Sequence, residues 1–256
     1  TALEQADKQL EVEYFLPYLS HANMEPMNCT ADVTESACDV WVPTQDQDKS
    51  ESAAVEASGL PSDQVNIHTT LSGGGFGRRL EADFVTQAVT LSKAVSKPVQ
   101  VIWSREEDTR HGFYRPASMS RFQISLGADG KPERWANQLA CPSVAATIFP
   151  IVAWFDFDPT TYEGAKPIPY AVADFDMEYS GVEFGVPIGS LRSVGALHNG
   201  FYVESVIDEA AHLAGADPFE YRLALLEEHP RYRKVLERVA RESNWGSALP
   251  ERSGRG

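Results

Sequence analysis

Residues 72–83 read SGGGFGRRLEAD and place four glycines within five positions, just before a predicted helix. Glycine has no Cβ, so successive backbone N–H groups at a helix entrance can point into one concavity, strengthened by the helix dipole. Such a concavity suits a phosphate, an oxo group or another anionic acceptor. A tight strand-to-helix turn also uses glycine, but this density favours a ligand. The pattern therefore predicts an anion cradle at Gly73–Gly77.

Two common nucleotide motifs fit this stretch poorly. GGGFGRR has neither the GxxxxGK[ST] spacing nor the Lys-Ser/Thr pair of a P-loop. It is not GxGxxG either, and the acids Glu106 and Glu107 come about 30 residues after Gly77, where a ribose-binding acid is expected after about 20. A nucleotide-binding enzyme domain built on the glycine loop stays open as the weaker alternative.

The elements that must position this loop are a strand before it and a helix after it. β-branched and aromatic residues predict strands at 41–46, 63–71 and 99–104. Apolar residues at helical spacing predict a helix from Arg78 to about residue 97, and Pro98 follows its end. Strand, loop, helix and strand together predict a βαβ unit.

The later part of the chain combines a hairpin with helices. Asp129-Gly130 lies between two alternating runs and predicts a β-hairpin. Helices predicted at about 199–213 and 231–242 flank a third helix, for which Asp217 is the N-cap. The order of elements predicts an α+β fold in which mixed sheets pack against helices.

The composition restricts the class of partner. The 256 residues carry a formal net charge of −15, which disfavours nucleic acid and anionic membrane surfaces. No apolar run approaches the roughly 18 to 20 residues that span a bilayer, so we expect no direct membrane insertion. We therefore expect a soluble chain whose partner is a small molecule or another protein. The sequence does not distinguish a periplasmic from a cytoplasmic location.

The three cysteines, Cys29, Cys38 and Cys141, lack CxxC spacing and cannot assemble a zinc site or an iron–sulfur cluster by themselves. We therefore predict that no residue binds a metal directly. A Cys29–Cys38 disulfide stays open as an alternative for an oxidising compartment.

Five stretches carry a resemblance to a known family. They are HANMEPMNCTADV (21–33), VWVPTQ (41–46), SGGGFGRRLEADF (72–84), HGFYRPAS (111–118) and the segment 189–226. With these stretches the sequence resembles the molybdenum-cofactor-binding subunit of the xanthine dehydrogenase/aldehyde oxidase family, and within it the sequence is most similar to the β chains of the isoquinoline 1-oxidoreductase branch. The resemblance implies a molybdenum–pterin cofactor, as molybdopterin or its cytosine dinucleotide form.

The resemblance also implies roles for individual residues. Gln45 would donate a hydrogen bond to an oxygen ligand of molybdenum. Backbone amides of the loop, with that of Phe76 closest, would contact this ligand and the pterin; the loop residues are Gly74, Gly75, Phe76 and Gly77. Arg192 matches an arginine beside the substrate, and Arg255 matches a position whose amide contacts the cofactor. Without the resemblance, Gln45 and Arg192 would be surface or structural residues.

Departures from the family restrict the interpretation. Relatives that act on purines have Gly-Lys-Glu where this chain has Arg78, Arg79 and Leu80, so we do not expect purine specificity. The family's general-base glutamate lies near the C-terminus of the full subunit, and no residue here corresponds to it. We therefore expect residues 1–256 to be a fragment, the N-terminal half of a cofactor-binding region, which alone binds no cofactor and is inactive. A complete mature protein stays open as the alternative.

For the full-length polypeptide, the resemblance implies a molybdenum hydroxylase that oxidises an aldehyde or an N-heterocycle with water as oxygen donor. The remaining part of the same large subunit would complete the site. Electrons would leave through [2Fe–2S] clusters on a partner subunit, since three cysteines cannot ligate them. A non-catalytic scaffold subunit of an oxidoreductase stays open as a different class.

Overall fold

The computed structural model of the protein describes residues 8–148 and 158–254. The strands are β1 (Gln9–Leu16), β2 (Asn28–Val33), β3 (Cys38–Val42), β4 (Val65–Thr69), β5 (Val99–Ile102), β6 (Ser118–Leu126), β7 (Pro132–Cys141) and β8 (Asp174–Gly181). The helices are α1 (Gln47–Ser58), α2 (Asp83–Val95), α3 (Arg105–Arg110), α4 (Ala145–Ile148), α5 (Pro159–Tyr162), α6 (Gly195–Ala214), α7 (Pro218–Leu225) and α8 (Pro230–Glu242). Within these ranges, no helix has the length and hydropathy to cross a bilayer.

The first sheet has the strand order β4-β3-β2-β5. β3 and β4 pair in parallel, whereas β2 pairs antiparallel with both β3 and β5. Helices α1 and α2 pack on this sheet, and α2 buries Phe84, Val85, Ala88 and Val89 in the core between them. The sheet positions the glycine segment because β4 ends before it and α2 begins after it.

The second sheet has the strand order β1-β6-β7-β8. β7 and β8 are parallel, and the other pairs are antiparallel. Its core centres on Trp135 and Phe122, whose rings pack edge to face with their centroids 5.5 Å apart. Helix α6 covers this core with Tyr202, Val206 and Ile207. β1 belongs to this sheet, so the first sheet is inserted between β1 and β6.

Several predicted elements are confirmed. The fold combines mixed sheets with helices, and β6 and β7 form the predicted hairpin, with Gly130 at φ +81° in its turn. Asp217 caps α7 by accepting hydrogen bonds from the amides of Phe219 and Glu220. The helices predicted at 199–213 and 231–242 are α6, which begins four residues earlier, and α8.

Other predictions were wrong in their details. Helix α2 begins at Asp83 rather than Arg78, because residues Arg78–Leu80 form a 3-10 turn and the Arg78 guanidinium folds back to bind the Asp83 carboxylate with two hydrogen bonds. The strand predicted at 41–46 ends at Val42, since Pro43 follows and has no N–H to donate.

The predicted βαβ unit is also corrected. β4 and β5 run in the same direction, as expected for strands joined by a helix, but they lie at opposite edges of the first sheet. The parallel neighbours are β3 and β4, joined by α1, a helix that the sequence pattern does not predict. The sequence of α1, QDKSESAAVEAS, carries few apolar residues to reveal a helical period.

The cysteines are free, buried thiols. The register of β2 and β3 places Cys38 opposite Val33. Val33 lies four residues from Cys29 along β2, or about 13 Å, whereas a disulfide needs Cα atoms within about 7 Å. The Cys29–Cys38 alternative is therefore wrong. Burial raises the pKa of Cys29 and of Cys141 to about 12, so neither is a reactive thiolate near neutral pH.

Candidate functional site

The glycine loop, residues 73–77, turns every backbone carbonyl toward the protein. The acceptor and donor pairs are Gly73 O and Glu25 N at 3.3 Å, Gly74 O and Arg79 Nε at 2.7 Å, Gly75 O and Arg78 N at 2.9 Å, Phe76 O and Arg192 N at 2.8 Å, and Gly77 O and Leu80 N at 3.1 Å. Gly74 O also accepts from the Ser72 hydroxyl at 3.1 Å. The loop is therefore held on its carbonyl side by donors from its own 3-10 turn and from two distant segments of the chain.

The amides of the glycine loop are used differently. The two outer amides bind side chains: Gly73 N donates to Glu25 Oε2 at 2.6 Å, and Gly77 N donates to Gln45 Oε1 at 3.0 Å. The three amides between them, those of Gly74, Gly75 and Phe76, donate to no acceptor within residues 8–148 and 158–254. Each carbonyl that the protein holds turns the next N–H the opposite way, because a trans peptide is planar. Three consecutive donors are thus left for an external acceptor.

The backbone angles explain how these amides converge. Gly74 has φ of +99° and Phe76 has φ of +54°. Gly75, which lies between them, does not have a positive φ. A change in the sign of φ from one residue to the next can gather successive N–H groups into an anion-binding concavity. A non-glycine residue such as Phe76 costs on the order of 1 kcal/mol in the left-handed region, and such strain concentrates at functional sites.

Gln45 lies beside the glycine loop. It follows β3, and its own amide donates to the carbonyl of Arg79 at 3.0 Å. While Oε1 accepts from Gly77, the Nε2 group donates to no acceptor in the described part of the chain. A Cβ at Gly75 would approach Oε1 to 2.1 Å, so glycine is needed there for the Gln45 side chain to lie against the loop.

Arg192 also meets the loop, from the connection between β8 and α6. Its amide donates to the Phe76 carbonyl, and its guanidinium lies 5.5 Å from the centroid of the Phe76 ring. A Cβ at Gly77 would lie 1.8 Å from the carbonyl oxygen of Ser190, so the two segments are in backbone contact. The structure thus brings together Gln45, Phe76 and Arg192, whereas Arg255 lies outside the described residues.

Three residues at the site were missed as functional candidates: His21, Glu25 and Arg79. His21 Nε2 lies 2.8 Å from the Ser190 carbonyl, and burial lowers the pKa of His21, which favours a neutral imidazole that donates this bond. Glu25 and Arg79 form a salt bridge of 2.9 Å beneath the loop. The signal in the sequence was that all three lie in stretches that carried the resemblance, His21 and Glu25 in residues 21–33 and Arg79 in residues 72–84.

Comparison with characterised sequences gives related proteins over almost the whole chain. The chain is 30% identical over 247 residues to the beta subunit of isoquinoline 1-oxidoreductase from Brevundimonas diminuta. It is 28% identical over 248 residues to a subunit of nicotinate dehydrogenase from Pseudomonas putida. Each alignment covers 95% of this chain but only 31% and 21% of the respective relative. The chain therefore spans less than a third of the length of these two relatives.

Structural comparison gives the same fold. Quinoline 2-oxidoreductase from Pseudomonas putida 86 superposes with a TM-score of 0.77 at 19% identity, over 94% of this chain and 33% of that one. The likeness confirms the predicted fold class. Residues 1–225 match the molybdopterin cofactor-binding domain as a family, which gives no support to the nucleotide-binding alternative. The chain belongs to the molybdopterin cofactor-binding domain family.

Proposed function

We propose that the glycine loop, Gln45 and Arg192 form one side of the cofactor site of a molybdenum-containing oxidoreductase. The observation that carries this proposal is the set of three consecutive amides, at Gly74, Gly75 and Phe76. Their N–H groups donate to no acceptor within the described residues. Family membership names the cofactor, and the amides supply donors that its ligands can accept.

The residues present fit such a group. Oxygen and sulfur ligands of a metal–pterin cofactor are hydrogen-bond acceptors, and backbone N–H groups at fixed positions satisfy them without a mobile side chain. Gln45 Nε2 adds a neutral donor at the rim of the loop. When bound, the cofactor supplies two-electron redox chemistry with water as the source of oxygen. The amides and Gln45 hold and orient it, and Phe76 places an apolar ring beside it.

Arg192 is proposed to bind the substrate. Its guanidinium is exposed and rests on the Phe76 ring, next to the unpaired amides. A guanidinium donates to a carbonyl oxygen, a ring nitrogen or a carboxylate, which are groups found on aldehydes and N-heterocycles. Two relatives are named for isoquinoline and nicotinate, both N-heterocycles, and another is named a membrane-bound aldehyde dehydrogenase. We therefore propose an N-heterocycle or an aldehyde as substrate.

The partners are proposed on the same basis. Two relatives of this chain are named as subunits, which supports assembly with other chains. We propose that a partner subunit carries [2Fe–2S] clusters, and that the remaining part of the same large subunit supplies the general-base glutamate and the other wall of the site.

The test uses the full-length polypeptide produced with its partner subunits. We expect about one molybdenum and one pterin per protomer, and turnover of isoquinoline or an aldehyde with an artificial electron acceptor. Gly75→Val is expected to remove both the metal and the turnover, because its side chain enters the space of Gln45 and of the ligand. Gly200→Val is the control, since a Cβ there meets nothing within 4 Å. Folded protein without molybdenum or pterin would support the scaffold class instead.

A further inference from the structure

Arg79 is a buried cation that lies directly under the glycine loop. Its side chain is fully buried, and its guanidinium uses all three nitrogens. Nε donates to Gly74 O at 2.7 Å, Nη1 to Pro43 O at 3.3 Å, and Nη2 to the carbonyl and carboxylate of Glu25, both at 2.9 Å. One planar group therefore joins the glycine loop, the segment after β3 and the segment before β2.

The bond to Gly74 has a direct consequence for the unpaired amides. The Gly74 carbonyl and the Gly75 N–H belong to the same trans peptide and point in opposite directions. When Arg79 holds the carbonyl inward, the Gly75 N–H is directed outward. The preceding peptide behaves in the same way, because the Glu25 amide holds the Gly73 carbonyl and so turns the Gly74 N–H outward.

Glu25 completes this arrangement from the other side. Its Oε2 accepts from the Gly73 amide at 2.6 Å and from Arg79, and its Oε1 accepts from Asn28 at 2.9 Å. Burial raises the pKa of Glu25, but the bonds from Gly73 and Asn28 and the charge of Arg79 outweigh it and hold the pKa below its usual range. Glu25 is thus ionised at neutral pH and neutralises the buried guanidinium.

We propose that Arg79 and Glu25 are positioning residues that aim the Gly74 and Gly75 amides at the cofactor. The inference rests on the proposed function, since it concerns the same site. It assigns to the pair a task beyond stability: the direction of two hydrogen-bond donors. Lysine cannot perform it, because an ammonium is a point charge and cannot meet the Gly74, Pro43 and Glu25 oxygens together in one plane.

The experiment compares variants of the full-length protein that are matched for stability. Arg79→Lys keeps the charge, and Glu25→Gln keeps the shape. Val40→Ala is the control, because Val40 is fully buried in the same core and its truncation destabilises the first sheet without touching the loop. Folding is followed by circular dichroism and thermal unfolding. Retention of molybdenum and pterin is measured after dialysis, with the pterin detected by fluorescence.

We expect Arg79→Lys and Glu25→Gln to retain the cofactor about 10-fold to 100-fold less tightly than the unchanged protein, as for other partners outside the first ligand shell. Val40→Ala should retain it fully at an equal or lower unfolding temperature. In any loaded Arg79→Lys molecules the midpoint reduction potential should fall, because a misdirected amide no longer stabilises the more negative reduced state. A purely structural role would leave this potential unchanged.

Each outcome decides the inference. If Arg79→Lys and Glu25→Gln retain the cofactor as well as Val40→Ala does, the pair serves stability alone and the inference is wrong. Loss of fold in both variants leads to the same conclusion, whereas loss in Arg79→Lys alone leaves Glu25→Gln to make the comparison. Absence of molybdenum and pterin from the unchanged protein is a separate result, because it contradicts the proposed function itself.

Discussion

Arg192 and Phe76 are joined twice, once by the backbone and once by their side chains. The Arg192 amide donates to the Phe76 carbonyl at 2.8 Å, and the guanidinium lies 5.5 Å from the ring centroid. These residues are far apart in the sequence, and they follow strands of different sheets. The proposed cofactor surface and the proposed substrate residue are therefore parts of one junction between the two sheets.

Replacing Arg192 by alanine tests the substrate role. Loss of one charge-assisted hydrogen bond is expected to reduce kcat/KM by about 10-fold to 100-fold. The free energy of unfolding should change by less than about 1 kcal/mol, because an exposed cation–π contact contributes little. Arg238→Ala is the control, since Arg238 is an exposed arginine on α8 with a side chain 75% exposed. Equal turnover in the two variants would remove Arg192 from the site.

Gly77→Ala should destabilise the fold strongly, although it adds only one methyl group. Gly77 has φ +109°, and a Cβ there would lie 1.8 Å from the backbone oxygen of Ser190. We expect a loss of about 3 kcal/mol in the free energy of unfolding, from backbone strain together with overpacking.

Gly185→Ala separates these two contributions. Gly185 has φ +67°, but a Cβ there meets nothing within 4 Å, so only the strain of about 1 kcal/mol should remain. Urea denaturation measures both variants. Equal losses in both would mean that the contact between Gly77 and Ser190 relaxes without cost.

Gln45 allows its two hydrogen-bonding groups to be tested separately. Gln45→Glu keeps an acceptor for the Gly77 amide but removes the Nε2 donor and adds a negative charge beside an anionic ligand. Gln45→Ala removes both groups, at a cost on the order of 1 to 3 kcal/mol in cofactor binding.

We expect Gln45→Glu to retain normal stability and to bind no more molybdenum than Gln45→Ala does. Gln47→Glu makes the same change at an exposed neighbour on α1 and should bind normally. Molybdenum content per protomer and thermal unfolding decide between the outcomes. Full loading of Gln45→Glu would mean that the cofactor does not use the Nε2 donor.

His198 predicts a pH dependence of stability. Burial lowers the pKa of His198 from 6.5 to about 4; its hydrogen bond to the Thr161 carbonyl opposes this shift, and the charge of Arg115 reinforces it. The unfolded chain therefore binds a proton between pH 6.5 and pH 4 that the folded chain excludes. The contribution of His198 to the free energy of unfolding is complete above pH 6.5. It decreases as the pH is lowered, by about 3 kcal/mol between pH 6.5 and pH 4.

His198→Gln provides the comparison, because glutamine can still donate to the Thr161 carbonyl but does not titrate. Its free energy of unfolding should fall less steeply between pH 7 and pH 4 than that of the unchanged protein, since only the unchanged protein has this extra proton uptake. Urea denaturation at a series of pH values measures both slopes. Parallel slopes would show that folding does not lower the pKa of His198.

The sequence was sufficient to predict the structural features that depend on local pattern. Four glycines before an amphipathic run predicted the loop between a strand and a helix, and Asp217 predicted the cap of α7. The order of strands was not predictable in the same way, because periodicity identifies β4 and β5 as strands without saying that two others lie between them.

The sequence also did not predict which charged residues are buried. The apolar spacing places Arg78 and Arg79 at the start of the predicted helix, and arginine side chains are usually exposed. Both are buried, and each pairs with a carboxylate, Asp83 in one case and Glu25 in the other. Glu25 lies in another loop, and no local pattern links it to Arg79. Contacts of this kind require the fold.

The insertion of the first sheet between β1 and β6 sets an order for vectorial synthesis. Residues 28–102 carry all four strands of the first sheet, so that sheet can form while the rest of the chain is still being translated. β1 must wait for β6, which it pairs with from Gln9 opposite Ser125 onward. A nascent chain halted after β5 but before Arg192 would therefore carry the first sheet and its glycine loop, while the Phe76 carbonyl would still lack its donor, the Arg192 amide.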